Sequence, residues 1–268
     1  MNQSLQEQHT AQAFGKQSAV FDEIDEQNKL LVWMRNRVHQ EVMDHISRGA
    51  HLLELNCGSG IDALFFAQQG IQLTATDNAL GMLDQLNEKI AASSVQNIRT
   101  VLCSFNHLSD LGTAEKYDYI FSNFGGLNCT DRLDLVLDQM DLLLKPGGRF
   151  TLVIMPRICP WELLLVFKGY FKTALRRLKK GGVSARVEGV YFNCYYYTPD
   201  YLIQHLNKRY NVLSLKSLGL AIPPPYIQHF VEKYPRLFRF LERWENKWCS
   251  RKPFNQWGDH FMITMQKN

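Results

Sequence analysis

The feature that most constrains the fold of this chain is the stretch from Leu52 to Asp62, which reads LLELNCGSGID. An apolar run typical of a buried strand passes through a turn with two glycines and leads directly into a helical pattern. Gly58 and Gly60 allow the backbone to approach a ligand closely, and the helix that begins near Gly60 directs free N–H groups at whatever the turn holds. The stretch therefore predicts a cofactor-binding turn.

A second strand, predicted for Gln72 to Asp77, ends in a carboxylate 17 residues after Gly60. That distance suits a side chain that accepts hydrogen bonds from a ribose diol, so the turn and the carboxylate together indicate an adenosine-containing cofactor. Gly58-x-Gly60-x-x-Ala63 also fits the degenerate fingerprint of dinucleotide-binding folds. The spacing alone therefore leaves a nicotinamide cofactor open.

Strand and helix patterns alternate along the middle of the chain. Strands are predicted at 51–56, 72–77, 99–104, 117–123 and 149–155, and helices at 60–69, 79–92 and 131–144. A helix at 199–210, a strand at 212–220 and a short strand at 259–266 follow. Such alternation indicates an α/β fold in which helices cover both faces of a mostly parallel sheet.

These motifs resemble those of class I S-adenosylmethionine-dependent methyltransferases, whose first motif reads approximately (E/D)-x-G-x-G-x-G. The matching positions are Glu54, Asn56, Gly58 and Gly60, followed by Asp77, by Met82 and Leu83, and by the turn KPGGR at 145–149. The proline-glycine-glycine turn is a feature of this family and not of dinucleotide folds. The resemblance implies a doubly wound, mostly parallel, seven-stranded sheet with an antiparallel last strand, and S-adenosylmethionine as cofactor, with no metal.

The resemblance also implies which residues bind the cofactor. Glu54 and the turn from Asn56 through Cys57 and Gly58 to Gly60 would hold the methionine end, and Asp77 the ribose. Asn78 and Met82 would flank the adenine, Ser104 and Phe105 would contact its edge, and Asn123 would lie where the family meets the methionine moiety. Asp77 has a second interpretation as a helix N-cap.

Two positions depart from the family pattern. Asn56 replaces the first glycine of the motif; because asparagine tolerates positive φ, we expect the turn to survive. The loop Ser104–Leu108 lacks the acid that usually accepts from the adenine amino group. Stacking by Phe105, with Ser104 or backbone contacts, is the substitute that we expect.

Methyl transfer from a sulfonium is an in-line displacement in which positioning dominates. A hydroxyl or amine acceptor must also lose a proton, and the candidate bases are His107, His260 and Tyr195 of the aromatic run at 191–197. Asn128, in the glycine-rich loop after the fourth strand, is a candidate for orienting the acceptor. Arg35 and Arg37 are interpreted as a solvated face of the first helix, with an acceptor carboxylate as the alternative partner.

The predicted organisation is a methyltransferase core with two inserted covers. Its segments are a helical lid at 1–49, a cofactor-binding core at 50–155, a cover at 156–198, a core helix and strand at 199–220, a second cover at 221–258 and the last core strand at 259–268. The lid begins with a polar stretch at 1–26 and continues in a helix around 27–48. Both covers are rich in aromatic residues, so we expect a small acceptor with a largely apolar or aromatic surface.

The first cover also carries seven cations with no acid between them: Lys168, Lys172, Arg176, Arg177, Lys179, Lys180 and Arg186. Apolar residues from Leu164 to Leu178 recur at three- and four-residue spacing, so the sequence predicts one amphipathic helix. This basic helix at 164–186 packs on the sheet with a solvated basic face, or it docks to an anionic carrier protein, a membrane surface or a charged acceptor.

The composition excludes several classes of protein. The 268 residues are 46% apolar and carry a net charge of only +4, which argues against disorder and does not favour a nucleic-acid partner. Six cysteines without C-x-x-C spacing argue against a disulfide framework or a zinc site. The absence of a signal-peptide pattern predicts a cytoplasmic protein. Alternatives to a small-molecule methyltransferase are an NAD(P)-dependent reductase, a cofactor-binding scaffold and a nucleic-acid methyltransferase.

Overall fold

The structure, a computed structural model, describes residues 4–112 and 116–268. Its helices are α1 (Leu5–Gln27), α2 (Lys29–Met43), α3 (Ile61–Gln68), α4 (Leu80–Ala92), α5 (Leu133–Leu143), α6 (Pro160–Leu163), α7 (Phe171–Ala174), α8 (Pro199–Leu206), α9 (Phe230–Lys233) and α10 (Pro235–Trp248). Its strands are β1 (His51–Glu54), β2 (Gln72–Asp77), β3 (Ile98–Leu102), β4 (Tyr117–Ser122), β5 (Leu144–Ile154), β6 (Val183–Val187), β7 (Val190–Cys194), β8 (Tyr210–Leu218) and β9 (His260–Lys267). Short 3₁₀ turns link several of these elements.

Seven strands form one sheet in the order β3-β2-β1-β4-β5-β9-β8. The first five strands of this order are parallel, whereas β9 runs antiparallel to both β5 and β8. The sequence-based fold class is therefore confirmed. Because β1 and β4 are neighbours although β2 and β3 lie between them in sequence, the strand order reverses beside β1. A crevice opens at such a reversal, on the side of the carboxyl ends of the strands.

Helices cover both faces of this sheet. On one face α5 and α8 bury Leu137, Met140 and Leu202 against β4, β5 and β9. On the other face α2 and α3 bury Met34, Val38 and Phe66 against β1 and β2. All six cysteines are free and buried.

The N-terminal segment is more regular than the sequence pattern indicated. We expected a polar stretch at 1–26 and one helix around 27–48, but α1 is a helix of 23 residues that begins at a capping box on Ser4 and Glu7. Asn28 separates α1 from α2. Its side chain caps α2 by accepting hydrogen bonds from the N–H groups of Leu30 and Leu31. The polar surface of α1 concealed this helix because its buried contacts are themselves mostly polar.

The prediction of one amphipathic helix over 164–186 is wrong. Gly169 takes a φ of +78° and ends the first helical turns, so the segment consists of a 3₁₀ turn at Leu164–Lys168, the short helix α7 and a second 3₁₀ turn at Arg176–Leu178. Arg186 lies instead in β6, which pairs with β7 in a separate two-stranded hairpin. The hairpin packs on α1, where the rings of Phe14 and Phe192 lie 5.8 Å apart.

The second cover, after β8, consists of α9, α10 and the loop that leads to β9. It packs on the start of α2 through Leu30, Ile222 and Phe230. None of the helices in the part of the chain described here is long and apolar enough to cross a membrane.

Substitution of Gly60 tests whether the cofactor-binding turn needs glycine at this position, both for its backbone conformation and for the space around it. The φ of Gly60 is +84°, and a Cβ at this position would lie 2.2 Å from Cδ1 of Leu86. Gly147 has a similar φ of +72° with no atom near a Cβ. We expect Gly147→Ala to lower the free energy of unfolding by about 1–2 kcal/mol, the cost of strain alone. Overpacking should add about 1–3 kcal/mol more to the cost of Gly60→Ala.

Urea unfolding of the two variants and the parent protein measures this difference. Equal losses of stability would show that Leu86 does not constrain the turn.

Candidate active site

A cavity of about 410 Å³ opens at the carboxyl ends of β1, β2 and β4, where the strand order reverses. The glycine turn and Asp77 line one side of it, and Phe14 and Phe21 of α1 line the opposite side. A Cβ at Gly58 would already touch the Phe21 ring at 3.7 Å. The N-terminal helix therefore lies over the cofactor-binding turn.

Asp77 holds this turn through its carboxylate. Oδ2 accepts from the backbone N–H of Gly58 at 2.9 Å, and Oδ1 accepts from that of Ala79 at 2.8 Å. Burial raises the pKa of Asp77, although these backbone donors oppose the rise. The carboxylate thus fixes the turn that precedes α4 and lines the cavity, but it does not cap the helix, whose N-cap is Ala79 without a side-chain bond, so the N-cap interpretation is wrong.

Asn56 does not adopt the positive φ that we expected from the glycine that it replaces. Its side chain instead bridges two strand ends. Nδ2 donates to the carbonyl of Asn123 at 2.9 Å, and Oδ1 accepts from the Ser122 hydroxyl at 2.5 Å. A Cβ at Gly126 would lie 2.4 Å from the Asn56 amide, so this glycine is required for the close approach of the two loops.

Glu54 lies behind the turn at 1% exposure, and its Oε2 has no hydrogen-bond partner among the described residues. Burial raises the pKa of this carboxyl well above its ordinary value, and the nearby Asp62 raises it further. A buried carboxylate oxygen without a donor is costly unless a cation or donor meets it. Glu54 does not itself line the cavity, although Leu55 and Asn56 beside it do, and its raised pKa favours the uncharged carboxyl in the free protein.

Arg35 is buried, so the sequence-based interpretation as a solvated residue is wrong. Its guanidinium pairs with Asp25 of α1 at 2.5 Å and with Asp62 at the start of α3 at 2.6 Å. The Asp62 carboxylate also meets His39 Nε2 at 2.6 Å and accepts from the Asn123 amide at 2.8 Å. Arg35 holds the pKa of Asp62 well below its usual range despite burial.

At the other end of the cavity, Ser104 and Phe105 lie beside Asn78 and Met82. Glu7 of α1 reaches this end, where the loop after β3 lacks an acid. Its Oε1 accepts from the Ser104 hydroxyl at 2.7 Å and from the Asn106 amide at 3.1 Å, and these bonds lower the pKa of Glu7 against the effect of burial. Glu7 of α1 therefore places a carboxylate beside the loop Ser104–Leu108, which has no acid of its own.

The wall near β4 and β5 is mostly apolar. Leu31, Phe124 and Met155 line it, together with His260 at the start of β9. The His260 ring packs edge-on against Phe124 with centroids 5.8 Å apart, and the Arg35 guanidinium lies 4.7 Å from the centre of the same ring. His260 Nδ1 lies 3.1 Å from the Asp259 carboxylate.

The first cover is joined to this wall through Arg177. Its guanidinium donates to Glu162 Oε1, to the Asp259 carbonyl and to the Asp259 carboxylate at 2.7–2.9 Å. Burial opposes ionisation of Asp259, but the adjacent His260 ring and the Arg177 guanidinium hold the pKa of this carboxyl well below its usual range. Arg176 also pairs with Glu162 at 2.7 Å. Arg176 and Arg177, two of the seven cations predicted for the basic helix, therefore form ion pairs within the protein.

The structure does not bring the four proposed catalytic residues together. His260 lines the cavity, whereas His107, Asn128 and Tyr195 do not. The Asn128 side chain is occupied by Met155 N, Met155 O and Tyr195 O, so it positions backbone and cannot orient an acceptor. His107 faces Glu7 at 3.3 Å on the adenine side of the loop.

Nine of the eleven predicted cofactor residues line the cavity: Asn56, Cys57, Gly58, Asp77, Asn78, Met82, Ser104, Phe105 and Asn123. Gly60, at the end of the turn, and Glu54, behind it, do not line the cavity. The sequence patterns gave no sign of Glu7 or Asp62, and they placed Arg35 in solvent. One available signal was that Arg35 and His39 each follow a residue of the buried stripe of α2, namely Met34 and Val38.

Comparison with known proteins gives one domain match. A family model described as a methyltransferase domain matches residues 52–148, which include the glycine turn and Asp77. Among curated proteins, a demethylmenaquinone methyltransferase from Symbiobacterium thermophilum is 24% identical over 195 residues, covering 68% of this chain and 74% of that protein.

Solved structures share the fold. A protein described as an S-adenosylmethionine-dependent methyltransferase from Listeria monocytogenes has a TM-score of 0.60 at 14% identity, covering 85% of this chain and 96% of its own. A 1,6-didemethyltoxoflavin-N1-methyltransferase from Burkholderia thailandensis, solved with 1,6-didemethyltoxoflavin and S-adenosylhomocysteine bound, has a TM-score of 0.57 at 16% identity, covering 97% of this chain and 88% of its own.

Asp77 gives a direct test of the cofactor site. We expect Asp77→Ala to weaken binding of S-adenosylhomocysteine by about 1.5–3 kcal/mol, because the variant loses hydrogen bonds to a charged acceptor. Isothermal titration calorimetry measures the affinity, and Asp134→Ala, which removes an exposed carboxylate of α5, is the matched control. Unchanged affinity in a folded Asp77→Ala protein would remove Asp77 from the site.

The raised pKa of Glu54 predicts that binding depends on pH. In the free protein this carboxyl holds its proton above the ordinary value of 4.5, and an ammonium placed beside it favours the charged form. Binding should therefore release a proton, and affinity for S-adenosylhomocysteine should rise with pH above about 4.5 until the raised pKa is passed.

Calorimetry in two buffers of different ionisation enthalpy counts the released protons. We expect Glu54→Gln to abolish the release and Glu88→Gln, an exposed control on α4, to preserve it. Proton release that persists in Glu54→Gln would assign it to another group.

Proposed function

We propose that this chain, a class I S-adenosylmethionine-dependent methyltransferase, methylates a small acceptor with a largely apolar or aromatic surface. The observation that carries the proposal is the wall of Leu31, Phe124 and Met155 beside His260, at the side of the cavity away from Ser104 and Phe105. Pockets of this composition bind ligands by apolar contact and use a few polar groups for orientation. The methyltransferase domain match decides against the nicotinamide-dependent reductase alternative.

The residues around the turn would hold the cofactor in three places. The unpartnered Glu54 carboxyl behind the turn would ionise in favour of the ammonium of the methionine end, and Asp77 would accept hydrogen bonds from the ribose hydroxyls. Phe105 would stack on the adenine, and Glu7 replaces the missing loop acid near the adenine edge. When bound, S-adenosylmethionine supplies an electrophilic methyl group, and the chain contributes mainly position.

His260 is the residue best placed to accept a proton from the acceptor. It lines the cavity, its ring packs edge-on against Phe124, and the Asp259 carboxylate lies 3.1 Å from Nδ1 without forming a hydrogen bond to it. A carboxylate at Nδ1 stabilises the ring when Nε2 takes up a proton. Arg177 holds that carboxylate in turn through a bond at 2.8 Å, so the first cover supports the proposed base.

The related proteins favour a small molecule over a nucleic acid. The curated relative is named for demethylmenaquinone, and the Burkholderia thailandensis neighbour is named for 1,6-didemethyltoxoflavin. A net charge of +4 gives little attraction to a polyanion. These observations support the small acceptor without identifying it.

His260→Asn tests the proposed base. We expect kcat to fall by about 10²–10⁴, the usual contribution of a general base, while the affinity for S-adenosylhomocysteine stays the same. His205→Asn is the matched control, since His205 pairs with Asp138 on α5, away from the cavity. An acceptor that needs no deprotonation would leave kcat unchanged and exclude this role.

Acceptor class is tested by following S-adenosylhomocysteine formation with a panel of aromatic and aliphatic hydroxy and amino compounds, with glycine, guanidinoacetate and RNA in parallel. We expect turnover with apolar or aromatic acceptors. Efficient methylation of glycine, guanidinoacetate or RNA would contradict the proposal while leaving the methyltransferase assignment in place.

A further inference from the structure

Helix α10 exposes an apolar stripe to solvent. Leu237, Phe240 and Trp244 recur at three- and four-residue spacing, and their exposed fractions are 45%, 55% and 52%. Large apolar side chains that are contiguous and half-exposed mark an interaction surface more often than single exposed residues do. The helix also packs against the protein through its other face, where Phe238 and Leu241 join the cluster around Leu30.

The exposed charges of α10 are all basic. Arg236, Arg239, Arg243 and Lys247 are exposed. The two acids of the helix are used internally: Glu242 accepts from the Trp33 ring at 2.7 Å, and Glu245 is fully buried. The Glu245 carboxylate accepts from the backbone N–H groups of residues 219–222. An amphipathic helix with an aromatic stripe and a basic polar face is typical of helices that lie in a membrane interface.

The first cover repeats this combination. Six of its side chains are exposed by 45% or more: Leu164, Phe167, Tyr170, Phe171, Leu175 and Leu178. Four exposed lysines accompany them, namely Lys168, Lys172, Lys179 and Lys180, and the sequence from 164 to 180 contains no acid. The failure of this segment to form one packed helix is what leaves these apolar side chains in solvent.

Both surfaces lie at the edge of the sheet that carries the cavity. The first cover follows β5 and the second follows β8; these strands are parallel because each runs antiparallel to β9. The covers meet where the Trp161 ring packs edge-on against Phe230, with centroids 6.5 Å apart. Pro160 and Trp244 also line one shared apolar cleft.

We infer that the outer face of α10 and the segment 164–180 together form a docking surface for an anionic lipid membrane, to which the protein binds peripherally. Half-exposed rings and leucines would enter the headgroup boundary, and the eight basic side chains beside them would meet anionic headgroups. Docking in this way would turn the cavity edge of the sheet towards the bilayer. The inference concerns attachment and does not depend on which acceptor is methylated.

Other occupants fit this surface less well. A second copy of the chain would place two clusters of cations against each other, and such juxtaposition of like charges opposes association. A nucleic acid would satisfy the cations, but Leu164, Leu175, Leu178 and Leu237 have no flat face on which a base can stack. A lipid surface satisfies the charges and the aliphatic side chains together.

Sedimentation of the full-length protein with vesicles tests the proposal. We expect partitioning onto vesicles of phosphatidylcholine mixed with phosphatidylglycerol, little onto phosphatidylcholine alone, and weaker partitioning at high salt. Arg239→Gln/Arg243→Gln should lower the partition coefficient by roughly 20- to 30-fold, since each basic side chain near an anionic surface contributes about fivefold. Leu237→Ser/Phe240→Ser and Phe167→Ser/Phe171→Ser should each lower it at low and at high salt.

The matched control is Lys116→Gln/Lys208→Gln, which removes two exposed cations that precede β4 and β8 and so lie at the opposite edge of the sheet. It should partition like the parent protein, and all variants should keep the parent's melting temperature. Several results would overturn the proposal: no partitioning, equal partitioning onto neutral vesicles, equal loss in the control, or a dimer in sedimentation equilibrium that Leu237→Ser/Phe240→Ser dissociates. Displacement of the protein from vesicles by RNA, with tighter RNA binding, would assign the surface to nucleic acid.

Discussion

The buried guanidinium of Arg35 is the interaction on which the arrangement of this site depends. It joins α1 through Asp25 to the start of α3 through Asp62, and it lies over the Phe124 ring. Two carboxylates and a guanidinium taken out of water are tolerated only because each has a partner, and removing one partner of such a pair typically costs about 3–5 kcal/mol. The charge pairing therefore fixes α1 over the glycine turn, whereas α2 is held on the sheet by the apolar packing of Met34 and Val38.

Several features of the cavity follow from this attachment. The ion pair of Asp25 with Arg35 fixes the C-terminal end of α1. The N-terminal end of this helix places Glu7 at the loop after β3, and its middle places Phe14 and Phe21 over the turn. Asp22 adds a further contact by pairing with Lys89 of α4. The same helix thus completes both ends of the cavity, which explains how the core can lack the loop acid of the family. The β6–β7 hairpin of the first cover then packs on α1 from outside the cavity.

Local patterns predicted the core of the protein well, because the strand, turn and helix around Gly58 and Gly60 are set by neighbouring residues. The sheet order and the antiparallel β9 were available from the resemblance. The contacts of α1 could not be predicted in this way, since Glu7 and Ser104 are 97 residues apart and a polar helix gives no apolar signal. The basic segment was misjudged for a related reason: its spacing suits a helix, but Gly169 and the pairing of Arg177 with Glu162 and Asp259 break it into turns.

The position of α1 over the cavity requires that the cofactor binds beneath this helix, between it and the turn. Hydrogen exchange of the full-length protein with and without S-adenosylhomocysteine measures this directly, because amides protected by a bound ligand exchange more slowly. We expect slower exchange in residues 5–27 together with residues 55–62 and 77–83. Protection of the turn without any change in α1, or protection confined to other segments, would contradict the claim.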